Sequence, residues 1–111
     1  MDTAAKKKQF HDAMLEICRQ TPLQCIGLNG KPYNPVRFRQ MVQTLGGWQT
    51  AKELIKTNEL SDGFVELVYG KCLHLSMEAI MLEQDWGELF TAEELDIAAK
   101  RLRAAGYDSG T

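Results

Sequence analysis

The sequence predicts an all-α fold: a compact bundle of five to six short helices with one long apolar loop at 21–34. Three observations carry that expectation. Apolar residues recur at i, i+3, i+4 and i+7 in several stretches. Residues that start and stop helices bracket those stretches. No stretch alternates apolar and polar residues as a half-buried strand does. The chain has 111 residues, 44% hydrophobic and 25% charged, which suits one domain that buries its own core without staples.

The first helix is expected over about Ala4 to Arg19, with Phe10, Ala13, Met14, Ile17 and Cys18 as its buried stripe. Pro22 is expected to end it, because proline lacks the amide that a helix interior uses. Residues 21–34 then form the long loop, with a turn at Asn29-Gly30. Leu23, Cys25, Ile26 and Leu28 are too apolar for a free linker and are expected to lie across the core as a lid or short irregular strand. Asn34 as N-cap and Pro35 at the first helical position open a second helix. Its stripe is Phe38, Met41, Val42 and Leu45, and Gly46-Gly47 stops it. Trp48 to Lys56 reads as a third helix, with Ala51, Leu54 and Ile55 inward.

Ser61-Asp62-Gly63 caps a fourth helix that ends at Gly70. Its Phe64, Val65, Leu67, Val68 and Tyr69 make it apolar on most sides, so a central position is expected. Ser76 caps a fifth helix, Met77 to Leu82, closed by Trp86 and Gly87. Thr91 and Glu94 form a capping box for the sixth, and Phe90 with Leu95 a hydrophobic staple. Leu95, Ala98, Ala99 and Leu102 face inward, and Lys100, Arg101 and Arg103 suit the negative end of the helix dipole. Gly106 ends it. One domain over 1–107 and a disordered tail at 108–111 follow.

The composition excludes several function classes. No apolar run is long enough to span a membrane. Gln9, His11 and Asp12 follow Lys6-Lys7-Lys8 where a secretory signal needs an apolar run. Cys18, Cys25 and Cys72 cannot all pair, and no C-x-x-C occurs, so reduced thiols in a cytoplasmic setting are expected. Only two histidines exist. A dyad of His74 with Cys25 or Cys72 is conceivable, but a histidine beside a core stripe is more often structural. No metal-ligand spacing, phosphate-binding glycine loop or cofactor motif is present. Glu83, Asp85, Glu88, Glu93, Glu94 and Asp96 cluster, which reads as a solvated acidic face and helix starts. Catalytic residues, metals and cofactors are not expected.

Charge is unevenly spread. Residues 1–40 carry seven basic side chains (Lys6, Lys7, Lys8, Arg19, Lys31, Arg37 and Arg39) against three acidic ones, a net of +4; residues 41–111 carry six against twelve, a net of −6. Arg37 and Arg39 flank Phe38 beside Tyr33 at the start of the second helix, where the positive dipole end disfavours cations. That conflict marks a functional candidate. Basic residues beside an aromatic can grip phosphate and stack on a base. The plainer alternative is that Arg37 pairs with a carboxylate of the acidic half. Trp48 and Trp86 stand at helix boundaries. Exposed, they would anchor a partner; buried, they fill corners.

The pattern Tyr33-x-Pro35-x-Arg37-Phe38-x-x-Met41, Gly46-Gly47, Ser61-Asp62-Gly63-Phe64, Leu75-Ser76-x-Glu78 and Leu89-Phe90-Thr91-x-Glu93-Glu94 resembles a small helical module of uncharacterised bacterial proteins. The resemblance covers about residues 33–107. It implies a helical fold, and no activity is associated with it. Phe38-x-x-Met41-Val42-x-x-Leu45-Gly46-Gly47 is also similar to the helix–Gly-Gly–helix segment of ARID-type DNA-binding domains. The leading expectation is a non-catalytic protein-interaction or regulatory protein of the bacterial cytosol. Its partner is another protein or itself, and its candidate surface Tyr33, Arg37, Arg39, Trp48 and Trp86. The alternative is a nucleic-acid-binding helical domain using the basic N-terminal half.

Overall fold

A computed structural model of the chain describes residues 3–57, 61–84 and 86–107; the expected tail at 108–111 lies outside them. The described residues form six α-helices and no strand: α1 (Thr3–Gln24), α2 (Val36–Leu45), α3 (Gly47–Ile55), α4 (Asp62–Tyr69), α5 (Met77–Glu83) and α6 (Ala92–Ala104). Two 3-10 turns, Leu73–Leu75 and Gly87–Leu89, flank α5. The radius of gyration is 13.2 Å, the value for a single packed unit of this length. None of these helices is long and apolar enough to cross a membrane.

α1 is the spine. It packs against α2, α3, α5 and both 3-10 turns, while α6 covers α5 and α3. Phe10, Met14, Ile17 and Cys18 are buried along it, as their spacing requires. Its end differs from expectation, because Pro22 lies inside the helix, which runs on to Gln24. Proline there leaves the Cys18 carbonyl without its usual amide donor. The Arg39 guanidinium supplies one, with Nη2 donating to Cys18 O at 3.3 Å. The same Nη2 donates to Asn34 Oδ1 at 2.7 Å. Asn34 therefore holds Arg39 and does not cap α2, whose start has no side-chain cap.

The loop is shorter than expected and lies elsewhere. It begins at Cys25, and a narrow turn closes it: Ile26 bridges Pro32, Gly27 N donates to Lys31 O, and Tyr33 N donates to Cys25 O. Of the four apolar residues expected to lie across the core, only Cys25 is buried. Leu23, Ile26 and Leu28 are 72%, 51% and 56% exposed, so they do not form a lid over it.

Local signals placed the remaining ends. Gly46 takes the left-handed conformation (φ 88°) between α2 and α3. A Cβ on the adjoining Gly47 would stand 2.7 Å from His11 Cα, so the α1–α3 approach needs glycine. The hydroxyls of Ser61, Ser76 and Thr91 accept from Phe64, Ala79 and Glu94 amides, and the Thr91–Glu94 capping box is complete. α6 closes on Gly106, with Tyr107 N donating to Leu102 O and Gly106 N to Arg103 O, a Schellman arrangement. α4 is not central. Phe64 and Leu67 are buried against the first 3-10 turn, but Val65, Val68 and Tyr69 stay exposed.

Lys52 and Glu94 tie α3 to α6 at 2.7 Å with both side chains mostly shielded. Burial alone would raise the Glu94 carboxyl, but Lys52 and the Thr91 amide outweigh it and hold the acid below its ordinary range. A depressed carboxylate stabilises the fold above its unfolded value, and that contribution disappears as pH falls through the folded value. Urea titrations at a series of acidic pH values should therefore show wild-type stability falling through this window. Glu94→Gln keeps the capping box and should flatten that limb while lowering stability at neutral pH.

Candidate binding cleft and apolar face

A cleft of about 430 Å³ opens beside the start of α2. Its inner wall is core: Ile17 of α1, Phe64 and Leu67 of α4, Leu75 and Met77 before and on α5. Its outer wall is Phe38 and Met41 of α2 with Leu54 of α3, all partly buried. The apolar stripe of α2 thus splits between core and cleft: Val42 is buried, Phe38 and Met41 face a hollow, and Leu45 is exposed. The exposed lining residues, among them Val36, Arg37, Ser61 and Asp62, mark the mouth.

Arg101 and Glu78 form a buried ion pair on one wall, 3.1 Å apart. Arg101 also donates to the carbonyls of Leu54, Ile55 and Thr57. Leu54 and Ile55 end α3 and Thr57 lies just past it, where helix carbonyls run short of amide donors. Arg101 therefore serves the negative end of α3, a role that the sequence hides because its partners lie far along the chain.

The sequence candidates do not converge. Tyr33 and Arg37 line the cleft. Burial, then Glu66 and Asp62, raises the Tyr33 phenol, which stays neutral and able to donate. Arg37 is exposed at the mouth and makes no ion pair among the described residues, so the expected pairing with the acidic half is not made. Arg39 is spent on Asn34 and Cys18. Trp86 is a correction: it is 6% exposed, lies edge-on to Phe10, and donates from Nε1 to Ile80 O. Trp48 is partly buried, donates to Leu89 O at 2.7 Å, and carries Lys7 over its ring at 4.0 Å.

A second set of exposed residues does not line the cleft. Leu23, Ile26 and Leu28 of the α1 end and loop, and Val65, Val68 and Tyr69 of α4, are large, apolar and exposed. The two segments adjoin. Leu28 N donates to Glu66 Oε1 at 2.8 Å, and a Cβ on Gly70 would meet Ile26 O at 2.8 Å.

Both histidines are hydrogen-bonded within the fold. His11 Nδ1 accepts from Gly47 N, and His74 Nε2 meets Gln24 Oε1 at 3.0 Å. Burial pushes the Cys18 thiol up to about 11. Burial, with the neighbouring Cys72, pushes Cys25 up to about 12. Both are protonated thiols at neutral pH, not nucleophilic thiolates. No known protein family, curated protein or solved structure matches the chain.

Proposed function

We propose that this chain is a non-catalytic protein-interaction or regulatory protein of the bacterial cytosol that docks another protein chain on the face formed by α4 and the 25–32 loop. One observation carries the reading: six large apolar side chains remain exposed on two adjoining segments. Water contact with such side chains is unfavourable, and covering them with a partner removes that cost. The three free, buried cysteines are compatible with a reducing compartment.

The nucleic-acid alternative has less support. Of its seven basic residues, Lys8 and Arg19 pair with Asp12 and Glu16, Lys7 covers Trp48, and Arg39 is engaged. A continuous phosphate-binding face needs several uncommitted cations.

The test compares wild type with Leu28→Glu/Tyr69→Glu, two exposed positions that carry no core packing. Light scattering after size exclusion should give a wild-type mass above the monomer, or immobilised wild type should retain a defined partner from cell extract. The double variant should lose either behaviour. A monomer with no partner, or a partner retained equally by both proteins, would overturn the reading.

A further inference from the structure

We infer that the cleft beside α2 is a binding site for a medium-chain carboxylic acid. In this reading the tail occupies the apolar hollow and the carboxylate meets Arg37 at the mouth. The inference is independent of the docking face, none of whose six exposed apolar side chains lines the cleft.

The hollow argues for an occupant. About 430 Å³ of open space in a chain of 111 residues is within the range of small-ligand sites. Its inner wall consists of Ile17, Phe64, Leu67 and Met77, residues that are otherwise packed as core. Wall atoms facing a void lack contact partners, and an apolar hollow holds water poorly. A hydrocarbon chain restores those contacts. Met41 and Met77, unbranched and polarizable, can adjust to its shape.

Charge selects the head group. The Glu78–Arg101 pair on the wall is satisfied internally, with Arg101 committed to Glu78 and three carbonyls. Asp62 at the mouth sits in the first turn of α4, where the helix dipole favours an acid. Arg37 is the lining cation without a partner among the described residues, and it sits where the dipole of α2 disfavours it. The mouth therefore offers, in Arg37, a cation that makes no ion pair among the described residues and whose planar fork matches a carboxylate.

The experiment uses decanoate, 1-decanol and decyltrimethylammonium as probes, below their micelle concentrations, in calorimetric titrations of the full chain. Decanoate should bind one-to-one and about tenfold more tightly than 1-decanol, with the cationic probe weakest. Arg37→Gln, at an exposed position, should bring decanoate down to the decanol level and leave decanol unchanged. Methionine-methyl NMR of the wild type locates the ligand without a core variant. Met41 and Met77 should shift on decanoate addition, whereas the buried Met14 and Met81, which do not line the cleft, should stay. No decanoate binding, equal affinity for the three probes, an unaffected Arg37→Gln variant, or shifts that spare Met41 and Met77 would each overturn the inference.

Discussion

Arg101→Met should destabilise the fold by about 3–5 kcal/mol, a large share of the roughly 5–15 kcal/mol that holds a domain together. The Arg101 and Glu78 side chains are only 13% and 7% exposed. Removing the guanidinium leaves a buried carboxylate without its counter-charge and takes one donor from the carbonyls of Leu54, Ile55 and Thr57, of which Leu54 O keeps Thr57 N and Oγ1. The companion variant Arg101→Met/Glu78→Met separates these effects. Replacing both ions by apolar groups is often nearly neutral for the pair itself, so the double variant should recover part of the loss. The remainder measures the service Arg101 gives to α3. Urea unfolding of wild type, single and double variants checks this. A double variant as stable as wild type would mean that capping α3 contributes nothing, and a single variant within about 1 kcal/mol of wild type would show the pair to be solvated.

The legible and illegible parts of this fold divide by range. Ser61, Ser76, Thr91 with Glu94, Gly46 and Gly106 act on neighbours within a few residues, and each helix end that depends on them falls where the sequence predicts. Pro22 is misleading because its remedy is not local: the carbonyl it orphans finds Arg39, 21 positions away. Asn34 is drawn to that same arginine and leaves α2 uncapped. The stripe of α2 is legible as apolar, but periodicity cannot show which of its residues also line a cleft, as Phe38 and Met41 do. α4, apolar nearly all round, suggests a central helix; it lies at the periphery with three large apolar side chains in solvent. Arg37, singled out by its local conflict, lines the cleft and makes no ion pair among the described residues. Trp48 and Trp86 were ambiguous in sequence because their indole N–H partners, the carbonyls of Leu89 and Ile80, come from packing.

Phe10→Ala should be comparably damaging, by about 3–5 kcal/mol, yet should leave the cleft intact. Phe10 is fully buried, with Trp86 at 5.1 Å and Phe90 at 5.0 Å between ring centroids, both edge-on. These contacts pin α1 to the chain segment that joins α5 to α6, and edge-on ring pairs add stability beyond the buried area. Truncation leaves a hollow among large aromatic side chains that cannot collapse fully. Thermal unfolding followed by the fluorescence of buried Trp86 and by helix signal should give a midpoint lower by roughly 10–20 °C. Phe10 lines no part of the cleft, so wherever the variant is still folded its affinity for decanoate should match wild type. A variant that loses decanoate binding while folded would mean that the aromatic cluster and the cleft form one cooperative unit, whereas equal affinity makes the cluster a foundation and the cleft a separately adjustable site.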